Sequence, residues 1–82
     1  MYTIINEPIF VVGVYTKNTF IPRKFKWRSK EYKITRITLA TDTKKGLILE
    51  RQYSVLVEST VYRLLFNRTT EEWSLEEVWI ES

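Results

Sequence analysis

The chain has no cysteine and no histidine among its 82 residues. It therefore lacks a thiol nucleophile, the usual general base near neutral pH and the commonest ligands of transition metals. Serine is present without an imidazole to activate it. The adjacent glutamates at 71–72 and at 76–77 would point to opposite faces of a strand instead of converging on one substrate. We therefore expect a protein that is not an enzyme and that uses no cofactor or metal.

The lack of cysteine also bears on the compartment. Small secreted domains are usually held together by disulfide bonds, so a reducing compartment is the better expectation. The first residues do not combine a basic stretch with an apolar run, as a signal peptide does. The longest apolar run, from Ile9 to Tyr15, is too short to cross a membrane. The sequence predicts a cytoplasmic protein without membrane contact.

Glycine and proline are scarce, with two residues of each. No Gly-rich phosphate loop is present, and no flexible linker divides the chain. We expect one domain over residues 1–82, with residues 1–7 forming either a loose lead-in or an edge strand. Aromatic residues make up 15% of the chain and supply the large side chains that a small core needs.

Period-two alternation of apolar residues predicts strands over most of the chain. We expect an all-β fold of five or six antiparallel strands, joined as a meander into a small barrel or a strongly bent sheet. Residues 40–46 are predicted to be a polar loop. Residues 73–80 are predicted to be a strand, with a helix as the alternative. Trp27 and Trp73 are the expected core residues.

Two tight hairpins are predicted, and each gives a register. A loop at residues 29–30 would place Trp27 opposite Tyr32 and Lys26 opposite Lys33. A short hairpin connection at residues 58–61 would place Val55 opposite Leu64. Each pairing puts apolar side chains on one face, where cross-strand contacts stabilise a sheet. A β-bulge is expected near residues 35–36, where the apolar parity changes.

Positive charge is concentrated in the first half of the chain. Residues 1–45 carry a net charge of +7, and residues 46–82 carry −4. Strand alternation would gather the lysines of the first hairpin on the face opposite Phe25 and Trp27. Nothing in folding requires Lys26 to face Lys33, and an anion would relieve the repulsion. The candidate nucleic-acid or anion-binding residues are Lys24, Lys26, Arg28, Lys30, Lys33 and Arg36.

Two functions remain open at this point. The first is weak binding of DNA, RNA or another polyanion without sequence preference, through the basic hairpin. The second is a protein-interaction module in which the charges only keep the surface soluble. The run from Ile9 to Tyr15 is apolar on both faces, and an 82-residue chain has little protein to cover both. It therefore predicts a homodimer through this strand.

The aromatic spacing also resembles a known family. The pattern P-x-x-F-x-W-R-x-K-x-Y-x-I at 22–34 is followed by R-x-Y-S-V at 51–55, Y-x-L-x-F at 62–66 and W-x-L-x-x-V-W at 73–79. It is similar to a bacterial domain family of unknown function, which also occurs at the C-terminal end of proteins related to Y-family DNA polymerases. The resemblance implies an accessory role near DNA metabolism, with a protein of that process as a partner. It implies no catalytic residues.

Overall fold

Two antiparallel sheets form the protein in a computed structural model that describes residues 1–80. The larger sheet has five strands in the order β1-β8-β7-β6-β5, and the smaller has three in the order β2-β3-β4. The strands are β1 (Tyr2–Pro8), β2 (Phe10–Thr16), β3 (Thr19–Trp27), β4 (Lys30–Lys33), β5 (Arg36–Lys45), β6 (Ile48–Val57), β7 (Thr60–Asn67) and β8 (Glu72–Trp79).

Tight turns connect most consecutive strands, and their backbone angles explain the residues found there. Lys17 and Asn18 have φ of 49° and 66°, and Arg28 and Ser29 have φ of 51° and 63°. Two successive positive φ values match the turns whose twist suits a two-residue hairpin loop. Asparagine tolerates a positive φ, which suits Asn18 to this position. Ser29 takes the same conformation although serine tolerates it poorly.

The all-β prediction is confirmed, but the strand count and the predicted barrel are not. The structure has eight strands instead of five or six, and residues 1–80 form two sheets without a closed barrel. Two segments account for the added strand length. Residues 2–8 pair with β8 as an edge strand, and residues 40–45 continue β5 where a polar loop was predicted. Threonine occupies alternate positions, 41 and 43, in that region, and β-branched residues suit the pleated surface of a strand.

The last element is a strand, as predicted, and not a helix. Its parity change between Leu75 and Val78 coincides with a β-bulge, where the register against β7 shifts. The extra residue lets both Leu75 and Val78 face the core, where they are buried.

The parity change near residues 35–36 has another cause: the chain leaves the small sheet there. The Ile34 amide donates to the Arg23 carbonyl, and the Thr35 amide donates to the Leu56 carbonyl in the large sheet.

Both hairpin registers differ from the prediction by two residues. Trp27 lies opposite Lys30 and Phe25 opposite Tyr32, while Val55 lies opposite Tyr62. The loops lie at 28–29 and 58–59, so the centre of each hairpin is one residue earlier than expected, and Arg28, Ser29 and Glu58 have positive φ there. A two-residue shift keeps every side chain on its predicted face. The predicted face of each side chain is therefore correct, whereas its predicted partner across the hairpin is wrong.

The core lies between the sheets. Its buried members come from both, with Phe25 from the small sheet and Val55, Leu64 and Leu75 from the large one among the most enclosed. Phe25 stacks on Tyr32 with the ring centroids 4.9 Å apart. Trp27 and Trp73 are only half-buried and pack against this cluster from its two ends. Over residues 1–80 no helix has the length and apolar character needed to cross a membrane.

Candidate functional site

The candidate site is the face of the small sheet that points away from the core. Because side chains alternate along each strand, the burial of Phe25 and Tyr32 leaves their neighbours on the opposite face. We call this the outer face. Two rows of residues cross it, and its members are Phe10, Val12, Lys24, Lys26, Glu31 and Lys33.

The register corrects the predicted pair of opposed lysines. Lys26 faces Glu31, and it is Lys24 that lies directly opposite Lys33. Lys24 also reaches diagonally to Glu31, with the Nζ atom 3.3 Å from Oε1. The outer face thus carries three ammonium groups and one carboxylate, so it keeps an excess of positive charge. A like-charged cross-strand pair remains, as expected, but at a different position.

Arg28 is turned away from the outer face. Its Nε donates to Glu7 Oε1 at 3.0 Å, and its guanidinium lies 4.7 Å from the centre of the Trp27 ring. The indole of Trp27 donates to the same oxygen at 2.9 Å. These contacts, led by the hydrogen bond from Arg28, lower the pKa of Glu7 from 4.5 to about 2, and Glu7 in turn raises the pKa of Arg28. Arg28 is therefore already paired.

The two other predicted site residues lie apart from the outer face. Lys30 ends over the Tyr32 ring, with Nζ 5.3 Å from its centre. Arg36 begins β5 in the other sheet, opposite Leu56. Of the six predicted residues, the structure brings together Lys24, Lys26 and Lys33. No three side chains of the metal-ligating types come together anywhere in residues 1–80.

The ion pair of Glu7 gives the fold a dependence on pH. A carboxyl group whose pKa falls on folding stabilises the native state above its unfolded pKa, and this contribution is lost as the pH falls through its folded pKa. The pKa of Glu7 is 4.5 in the unfolded chain and about 2 in the folded protein, so the stabilisation is lost as the pH falls from 4.5 to about 2.

We expect Glu7→Gln to melt below the wild type at pH 7 and to approach it at pH 2. Thermal unfolding followed by circular dichroism at pH 7, 4.5 and 2 would measure the difference. Arg28→Gln should show the same pattern, because it removes the other partner of the pair. A deficit in Glu7→Gln that stayed constant down to pH 2 would contradict the assignment.

The apolar half of the outer face was not predicted as part of the site. Phe10 is 77% exposed and lies directly opposite Lys26, while Val12 lies opposite Lys24 and is also exposed. The sequence did hold a signal, since the run from Ile9 to Tyr15 is apolar at both parities. This pattern alone predicts a dimer surface, and only the pairing of β2 with β3 places Phe10 and Val12 beside the lysines.

Comparison of the chain with family models, with curated proteins and with solved structures found no match.

Proposed function

We propose that the protein is a non-catalytic module that binds single-stranded DNA or RNA weakly and without sequence preference. The outer face of the small sheet is the binding surface. The observation that carries the proposal is the exposed ring of Phe10 directly opposite Lys26. A base can stack on the ring while the lysine meets the neighbouring phosphate, and this combination is typical of sequence-tolerant binding to single strands.

The charges support the same function. Lys24 opposite Lys33 is an unfavourable pair for a sheet, and Glu31 offsets only part of it. A phosphate group placed over the two ammonium groups would remove the repulsion. Such contacts give affinity without reading the bases. The exposed Phe10 ring gains little from burial on folding, so it is free to contact a ligand.

The salt dependence of binding tests the lysines. Three phosphate contacts to a single strand predict a slope of about −2 for log K against log salt. Lys26→Gln with Lys33→Gln leaves one contact, so we expect a slope of about −0.7, measured by fluorescence anisotropy with a labelled oligonucleotide. Lys44→Gln with Lys45→Gln removes the same charge from β5 and should keep the wild-type slope. Equal slopes in the two double variants would contradict the proposal.

A second arm of this experiment separates stacking from charge. Phe10→Ala should weaken binding by about 1–3 kcal/mol, the range for one base on one aromatic ring, and leave the salt slope unchanged. Leu39→Ala is the control, because Leu39 is an exposed apolar residue of the other sheet. Wild-type protein that binds no oligonucleotide at low salt would overturn the proposed function.

Self-association is the second candidate, and β2 favours it. This strand is an edge of the small sheet, and Phe10, Val12 and Val14 along it are all exposed. An unprotected apolar edge is a template for pairing with a second copy. Antiparallel pairing of β2 with its copy would be self-complementary, as a twofold interface requires.

Val12→Lys tests this candidate and separates it from the first. A charge on the edge strand should convert a dimer to a monomer, as measured by sedimentation at high micromolar concentration. The same substitution adds a cation next to Lys24, so nucleic-acid affinity should stay equal or rise if the monomer binds. Leu39→Lys, on an edge strand of the large sheet, is the control. Wild-type protein that sediments as a monomer would exclude the homodimer.

Two further parts of the proposal rest on the sequence alone. The resemblance to domains that accompany Y-family polymerase relatives supports a role near DNA metabolism, by association only. The lack of cysteine supports a cytoplasmic location.

A further inference from the structure

A concave surface that includes none of the outer-face residues lies between the end of the β2–β3 hairpin and the inner face of the large sheet. It is a cleft of about 520 Å³, within the range of sites that hold small molecules. Its aromatic wall consists of Tyr15, Phe20, Tyr53, Phe66 and Trp73. We call this surface the aromatic cleft.

The aromatic rings form a continuous wall. Ring centroids are 5.0 Å apart for Tyr15 and Phe20, 5.7 Å for Phe20 and Trp73, and 4.8 Å for Phe66 and Trp73. Tyr15 is 78% exposed, so its ring adds little to folding. Its position extends the wall into solvent, where a flat ligand could stack on it.

A charged group borders the wall. Arg51 donates from Nη1 to Asp42 at 3.0 Å and from Nε to the Tyr53 hydroxyl at 3.0 Å. Arg68 approaches the same Asp42 oxygen only to 3.8 Å, beyond hydrogen-bond distance. One carboxylate thus faces two guanidinium groups, and Arg68 keeps donors for an incoming anion. Glu71 also borders the cleft and opposes such an anion.

The Tyr53 hydroxyl makes this arrangement rigid. It accepts from Arg51 and donates to the Phe20 carbonyl at 3.4 Å, so it joins the two sheets under the cleft. These contacts hold Arg51 and the Asp42 carboxylate in place. The guanidinium of Arg68 makes no hydrogen bond to that carboxylate, and its fork can recognise a phosphate by paired hydrogen bonds.

We propose that the aromatic cleft binds a nucleoside monophosphate, either free or as one residue of a single strand. The base stacks on the exposed ring of Tyr15, which is tilted by 58° to the ring of Phe20, and the phosphate meets Arg68. This site is separate from the outer face and does not depend on it. It adds a pocket for one nucleotide to the surface proposed for a single strand.

The test is a titration of the folded protein with AMP and UMP, followed by NMR chemical shifts and calorimetry. We expect shifts at Tyr15 and Phe20 and none at Phe10. Adenosine, which lacks the phosphate, and ribose 5-phosphate, which lacks the base, should each bind at least tenfold more weakly than AMP. A dinucleotide that binds no tighter than AMP would assign the site to the free nucleotide, and a tighter one would assign it to a strand.

Three variants fix the assignment. Tyr15→Ala should weaken AMP binding about five- to hundredfold, the effect of losing one stacking contact. Arg68→Gln should weaken AMP but not adenosine, whereas Glu71→Gln should strengthen AMP. Phe10→Ala is the control and should bind AMP like the wild type, even if it has lost oligonucleotide binding. Weaker AMP binding in Glu71→Gln, or wild-type binding in Tyr15→Ala and Arg68→Gln, would overturn the proposal.

Discussion

Replacing Trp73 by alanine is expected to destabilise the domain by about 3–5 kcal/mol, the usual cost of deleting a large aromatic side chain from a packed site. Trp73 contacts Phe20 of the small sheet and both Tyr53 and Phe66 of the large one, with ring centroids 4.8–5.7 Å apart. Its removal therefore opens the junction between the sheets. A domain this small has little stability in reserve, so much of the variant should be unfolded at 25 °C.

Urea unfolding followed by circular dichroism would measure this loss. Trp79→Ala is the matched control, because it deletes the same side chain from the same strand. Trp79 packs on Tyr2 of the edge strand instead of joining the sheets, so its loss should be clearly smaller. Equal losses in the two variants would show that Trp73 does not hold the sheets together.

Gly13→Ala is expected to cost about 3 kcal/mol or more. A Cβ atom at this position would lie 2.2 Å from the Ile21 carbonyl oxygen and 2.8 Å from the Pro22 Cα. Both are backbone atoms in the paired strand, so relief requires the strands to separate at the bulge between Val12 and Gly13. Overpacking of this kind costs about 1–3 kcal/mol and at times more.

Gly46→Ala provides the comparison for this prediction. Gly46 has φ of 62°, and a Cβ atom there would meet nothing within 4 Å. Its replacement should cost only the strain of a left-handed backbone, about 1–2 kcal/mol. Thermal unfolding of both variants would give the ranking. If Gly13→Ala unfolded at or above the temperature of Gly46→Ala, the close approach of β2 and β3 would be disproved.

The sequence predicted which face a side chain takes better than it predicted its partner. Alternation placed Phe25, Tyr32 and Val55 on the inner side correctly, because a period of two is decided by each strand alone. The partner across a hairpin depends on which two residues form the loop, and Arg28 and Ser29 adopt it against their preference. Because the loop lies one residue earlier than predicted, Lys33 lies opposite Lys24 instead of Lys26.

The candidate site was less predictable than the fold for the same reason. Lysines on the outer face followed from alternation, but Phe10 joined them only through the pairing of β2 with β3. Arg28 pairs with Glu7, 21 positions earlier in the chain, instead of joining the outer face. No local sequence pattern predicts such a distant contact. The aromatic cleft needs residues from both sheets, so only the fold could bring them together.

The edge position of β1 has a consequence for the order of folding. Strands β2 to β4 and β5 to β8 pair with their neighbours in sequence, and such local contacts form quickly. The pairing of β1 with β8 is different, since the Met1 ammonium meets the Ile80 carbonyl across 79 positions. Closing so long a loop is slow, and β8 is synthesised after all the strands that lie between the two partners. The strand β1 must therefore wait, unpaired, until β8 has been made.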